Sequence, residues 1–362
     1  NPDKIYKPLW LKNGTLELTG DVLIKTLSEG GNDNAFIPLN GCLHLNGDNV
    51  EVDVCFDGTN DKCLMPAGKV IVERGLLDCK TGAGIVFRNT SEVEIKGGKL
   101  RGSQFRPSQY ATNGKTTFII SGGEVVFDGK GEMKNAYSTF YMPFSTFTFK
   151  MSGGLLDVYS AQNNNGGAFV VNCNPDNSNI EGGEIRINAA DAQNNNGTTY
   201  TMISSIPLYN LTLTNVDALP YTHIYKNFKG SVNNVSVNVT PEKLYVKNNL
   251  TIGSNVNFEI GDGKDVEVGG NLVIESGATV KTTHGDIMFN GGGDLQQLSV
   301  AGAIKSGATN TDDGFYSITV DEDSKLQVNN NITVNNKFTL ASGSELHDGV
   351  DNNIYTMNGD VI

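Results

Sequence analysis

Apolar and polar positions alternate along this chain in very short runs. Val50-Glu51-Val52-Asp53-Val54 and Ile185-Arg186-Ile187 are typical. Every second side chain is apolar, which is the signature of a strand with one buried face. Gly-Gly, Asn-Gly and Asp-Gly pairs punctuate the runs and supply the positive φ that sharp corners need. No stretch carries a convincing 3.6-residue apolar stripe, so the pattern predicts strands and corners with few, short helices.

The runs recur. An apolar-x-Gly-Gly-x-apolar motif appears as Ile95-Lys96-Gly97-Gly98-Lys99-Leu100 and returns as Ile120-Ser121-Gly122-Gly123-Glu124-Val125. It returns again as Met151-Ser152-Gly153-Gly154-Leu155-Leu156 and as Ile180-Glu181-Gly182-Gly183-Glu184-Ile185. A looser form, Asn13-Gly14-Thr15-Leu16-Glu17-Leu18, matches Asn40-Gly41-Cys42-Leu43-His44-Leu45. A second motif governs the C-terminal third, in the triplets Leu250/Ile252/Phe258, Leu272/Ile274/Val280, Ile318/Val320/Leu326 and Phe338/Leu340/Leu346. Leu295 to Val300 fills the one double-length gap between them.

Short strands, tight corners and a repeat of about 20–31 residues predict a solenoid in which one repeat is one coil. The expected fold is all-β: a single-stranded, right-handed parallel β-helix. Propeller blades need a longer period, and sandwich domains need longer strands without this repetition. Three zones are expected. Residues 1–200 form long, looped coils, 201–244 irregular coils or a junction, and 245–362 compact coils of about 20–23 residues.

Composition supports this picture. Gly and Asn each occur 43 times in 362 residues, and both are poor helix formers. Asn at repeated corners suits amide ladders between coils. Apolar residues make up 38%, enough for a core and too many for disorder. The formal charge of −13 with only five Arg argues against nucleic acid and anionic membranes as partners. No apolar run is long enough to insert into a membrane. The chain opens Asn1-Pro2-Asp3-Lys4 and closes in what reads as the middle of a repeat, so a piece of a longer polypeptide is expected. The five Cys have no CxxC spacing and read as buried thiols.

The Gly-Gly coils, Asn-Gly corners and acidic balance resemble secreted bacterial right-handed β-helix surface proteins, often described as adhesin-like. The resemblance implies an extracellular or cell-surface location, and glycans or host or cell-surface proteins as partners. It transfers no catalytic residue.

Chemistry was sought against that background. Glycoside hydrolysis needs two carboxylates across one bond. Asn310-Thr311-Asp312-Asp313-Gly314 superficially resembles the Asn-Thr-Asp-Gly element of polygalacturonases, but Asn329 to Val334, one coil later, holds no acid. Asp312 and Asp313 therefore read as a solvated corner. Arg74, Arg88, Arg101 and Arg106 cluster in the first third, as a lyase would require, yet charged side chains outside a β-helix are ordinarily solvated surface. The four His are dispersed, and the acidic turns Asp57–Asp61 and Asp262–Asp265 match no Ca²⁺-loop pattern, so no metal or cofactor is expected. The expected function is non-enzymatic display of loops for binding, with a divergent pectate-lyase-like lyase or glycoside hydrolase as the alternative. Candidate ligand contacts are the aromatics Tyr137, Tyr141 and Phe144, in the least regular stretch, and the duplicated loops carrying Gln162, Asn164, Gln193 and Asn195. Aromatic faces beside amides are suited to sugars.

Overall fold

The computed structural model describes residues 11–26, 35–54, 63–80, 82–108, 114–128, 138–160, 168–189, 199–215, 221–232, 235–307, 312–350 and 353–362. Among them there is no helix, and parallel strands stack in long ladders: the chain is an all-β parallel β-helix solenoid. It forms two compact units. Unit 1 comprises Asn1–Glu184, Ala192–Gly197 and Lys229–Val239; unit 2 comprises Ile185–Asp191, Thr198–Phe228 and Thr240–Ile362.

Each coil of unit 1 contributes three strands. The first row stacks Gly14–Leu18, Gly41–Leu45, Lys69–Val72, Glu92–Ile95 and Thr117–Ile120. The second stacks Val22–Thr26, Val50–Val54, Leu76–Cys79, Lys99–Gly102 and Glu124–Phe127. Both rows continue onto the long strand Thr148–Ser160. The third runs Ala35–Ile37, Cys63–Pro66, Gly84–Phe87, Phe105–Pro107, Phe140–Met142 and Phe169–Val171.

Register follows from burial. A slip of one residue would turn every inward side chain to solvent, so like residues align. Leu43, Val70, Val93, Phe118 and Phe149 form one fully buried column. The third row contributes an aromatic ladder: Phe105 stacks on Phe140 at 5.3 Å, and Phe140 on Phe169 at 5.4 Å, with ring planes within 14° and 12°. Phe147 and Phe149 lie wholly in the core. Outward columns carry cross-coil ion pairs such as Lys69 with Glu92 at 2.6 Å. Such exposed pairs contribute about 0–1 kcal/mol each.

Unit 2 also stacks its strands in parallel rows, with coil lengths as different as 20 residues (Ile318 to Phe338) and 39 (Leu211 to Leu250). Leu244, Val266, Ile287, Ile318 and Phe338 make one inward column. Leu272 pairs with Leu298, so the segment Leu295–Val300 does occupy the gap in the repeat. Asp312–Asp313 is an exposed antiparallel bridge whose Asp313 pairs with Lys305.

The Gly-Gly corners of unit 1 place one backbone against the next. Gly123, Gly154 and Gly183 have φ of 74°, 77° and 76°. A Cβ on Gly123 would lie 2.2 Å from the carbonyl oxygen of Gly98 in the coil below. Gly20 has the same φ of 74° but nothing within 4 Å of the Cβ position. Gly20→Ala should therefore lower stability by about 1 kcal/mol, the conformational term alone. Gly123→Ala should cost about 3 kcal/mol or more, because the stack must also open. Denaturant unfolding of the two variants, followed by circular dichroism, measures the difference.

Candidate functional site

The outer face of unit 1 changes direction where the first and second strand rows meet, at the glycine corners. A groove of about 710 Å³ lies there, floored by Gly75, Gly97, Gly98 and Gly123 and crossing four successive coils. One wall is an outward column in strict register: Glu51, Leu76, Lys99 and Glu124. Corner residues Asp48, Asn49 and Arg74 complete it. The local pattern explains the placement. Val50, Val52 and Val54 are buried, so the intervening Glu51 and Asp53 must face outward.

Two kinds of polar group line the groove. Lys99 Nζ is paired with Glu124 Oε2 at 2.6 Å, and Asn49 Nδ2 donates to Asp21 Oδ1 at 2.7 Å. The side chains of Asp48, Glu51 and Arg74 have no hydrogen-bonded partner among the described residues, and Arg74 and Asp48 are exposed. Donors and acceptors are thus both on offer, over a small apolar contact at Leu76.

The next outward column holds Asp53, Asp78 and Arg101, again in register. Register partners on neighbouring strands are about 4.8 Å apart. Burial, and then the charge of Asp78, push the Asp53 carboxyl above its ordinary value. Asp78 is buried; it accepts from the Lys80 backbone N–H at 3.1 Å and lies 3.3 Å from Lys80 Nζ and 3.9 Å from Arg101 Nη1. Unit 2 carries a similar pair, Asp265 and Asp286, adjacent on one column. Burial raises Asp286 to about 6, and the charge of Asp265 adds to the rise. No local motif marks either pair, although in each the two Asp occupy the same place in consecutive repeats.

The structure redistributes the residues expected to bind ligand. Tyr137, Gln162, Asn164, Gln193 and Asn195 lie outside the described residues. Tyr141 is no surface platform. It stands in the outward column of the third row with Val86, Arg106 and Val170, but that column is covered and Tyr141 is wholly buried. Phe144 is half-buried, with its ring edge-on to Phe147 at 5.3 Å. The four arginines also separate. Arg74 and Arg101 flank the groove, Arg106 is buried in the third row, and the Arg88 guanidinium sits 4.8 Å over the Phe36 ring. Among the described residues no three His, Cys, Asp or Glu are placed to hold a metal ion.

A histidine lies inside the core of unit 2. His223 of unit 2 is fully buried; its Nε2 is 3.3 Å from Asn215 Oδ1, and its Nδ1 has no partner among the described residues. Burial lowers it to about 4. Above pH 6.5 the imidazole is neutral whether folded or unfolded, and pH has no effect through it. Between about 6.5 and 4 the unfolded chain takes up a proton that the folded chain refuses, so stability falls as pH falls, by about 3 kcal/mol in total. His223→Gln should flatten this limb. The difference in unfolding free energy between wild type and variant, measured from pH 7.5 to 4, isolates it, since Asp286 titrates in both and with the opposite sign.

Comparison of the chain with protein-family models, with curated proteins and with solved structures gives no match. The chemistry of the groove is what separates one ligand class from another.

Proposed function

We propose that this chain is a non-enzymatic, adhesin-like solenoid, extracellular or on a cell surface, that binds a glycan in the outer groove of unit 1. The observation that carries the proposal is the lining itself. Asp48, Glu51 and Arg74 present acceptors and donors that no neighbouring side chain among the described residues satisfies, along a groove of about 710 Å³. Sugar hydroxyls both donate and accept, so they match such a mixed set. The groove has no aromatic lining, so hydrogen bonds rather than ring stacking carry the binding. Glycan-array binding by the full chain should be lost in the double variant Glu51→Ala/Arg74→Ala while its circular dichroism is unchanged. Equal binding by the variant, or a silent array, would refute the proposal.

A second reading, hydrolysis of a glycosidic bond, is favoured by one observation: the Asp53–Asp78 pair borders the groove with carboxyls on adjacent strands. Their strands lie one rise apart, about 4.8 Å, and glycoside hydrolysis uses two carboxyl groups flanking one bond. Asp53, whose carboxyl burial pushes above its ordinary value, would be the acid. New reducing ends released from bound oligosaccharide, and abolished by Asp78→Asn, would establish hydrolysis. Intact glycan after prolonged incubation leaves binding alone.

A further inference from the structure

The groove runs across coils, so its walls repeat at the rise of the solenoid. We infer that its ligand is a linear, uncharged or amine-bearing β-linked polysaccharide lying parallel to the stacking direction, with one sugar ring over each of four coils. This rests on the glycan-binding reading above and specifies its substrate class.

Three observations support it. The first is length. The lining takes one stretch from each coil: Asp48 to Glu51, Arg74 to Leu76, Gly97 to Lys99, and Gly123 to Glu124. Four coils span about 14 Å, three rises of about 4.8 Å each. The ring-to-ring repeat of an extended β-linked polysaccharide is about 5 Å, close to that ~4.8 Å rise. A chain laid along the groove therefore stays in phase with it for four rings and then leaves it.

The second is charge. Asp48, Glu51 and Glu124 face Arg74 and Lys99, and Lys99 is already paired with Glu124. Beside the wall, Asp53 and Asp78 are offset by Arg101 in the same column and by Lys80 against Asp78. The groove is net acidic on a chain of charge −13, so a polyuronate or sulfated polymer meets repulsion along its length. A neutral or amino sugar does not.

The third is the state of the floor. A peptide gains affinity on a sheet mainly by adding a strand at a free edge. Here the strands bearing Leu76 and Lys99 are paired on both sides, so no edge is available. A peptide could therefore not join the sheet, whereas sugar hydroxyls need only side-chain partners such as Glu51 and Arg74.

The test is calorimetric titration of the full chain with neutral β-1,4-linked oligomers of glucose, mannose and xylose, with glucosamine oligomers, and with galacturonate oligomers, each of two to six rings. In whichever neutral or amino series binds, the association constant should rise at each step from two to four rings and stay level from four to six. Galacturonate oligomers should bind at least tenfold more weakly. Arg74→Ala and Glu51→Ala should each weaken the four-ring ligand severalfold, while Lys150→Ala, outside the groove, should not. Affinity independent of length, affinity still climbing beyond four rings, or a preference for galacturonate would overturn the inference. If Arg74→Ala abolishes binding that has no length dependence, the groove survives as the binding site and only the axial alignment is lost. If no oligomer binds in any series, the glycan-binding reading falls and the inference falls with it.

Discussion

Each coil can hide its inward side chains only if the next coil arrives in register. That constraint governs the rest of the structure. A three- to five-residue strand has too little apolar surface to be stable alone, so burial must come from the neighbours above and below. Leu43, Val70, Val93, Phe118 and Phe149 illustrate it: each is sealed by the same position in the adjoining coils. The glycines follow from the same demand. At Gly123 the approach of Gly98 O leaves no room for a Cβ, so close stacking dictates the corner residue as much as the turn does.

Inward register has an outward by-product. Since alternate residues face opposite sides of a strand, aligning the core also aligns the surface. Glu51 with Leu76, Lys99 with Glu124, and Asp53 with Asp78 are neighbours because the valines and leucines between them are neighbours. The ion pairs, the carboxylate pairs and the groove are all products of that alignment.

The architecture was largely legible in the sequence. The Gly-Gly motif marked the corners, alternation marked the strands, and Leu295–Val300 was placed by period alone. These features are periodic, and periodic features show in one dimension. The site was much less legible. Tyr141 falls in an irregular stretch that suggested a surface, but a covered third row encloses it. Coverage is a tertiary property with no local signature. The carboxylate pairs lay within reach: once the repeats are aligned, Asp53 falls on Asp78 and Asp265 on Asp286. Searching for motifs along the chain, rather than across it, missed them. The groove is invisible along the chain, because its lining comes from four separate coils.

The strict division between inward and outward columns separates two kinds of inheritance. Exchanging Glu51, Arg74 or Lys99 for another polar residue leaves the valine and leucine ladders untouched, so the surface can change one rung at a time without risking collapse of the scaffold. Duplicating or deleting a whole coil would lengthen or shorten every outward column by a single increment, an edit that a surface assembled from distant loops does not allow.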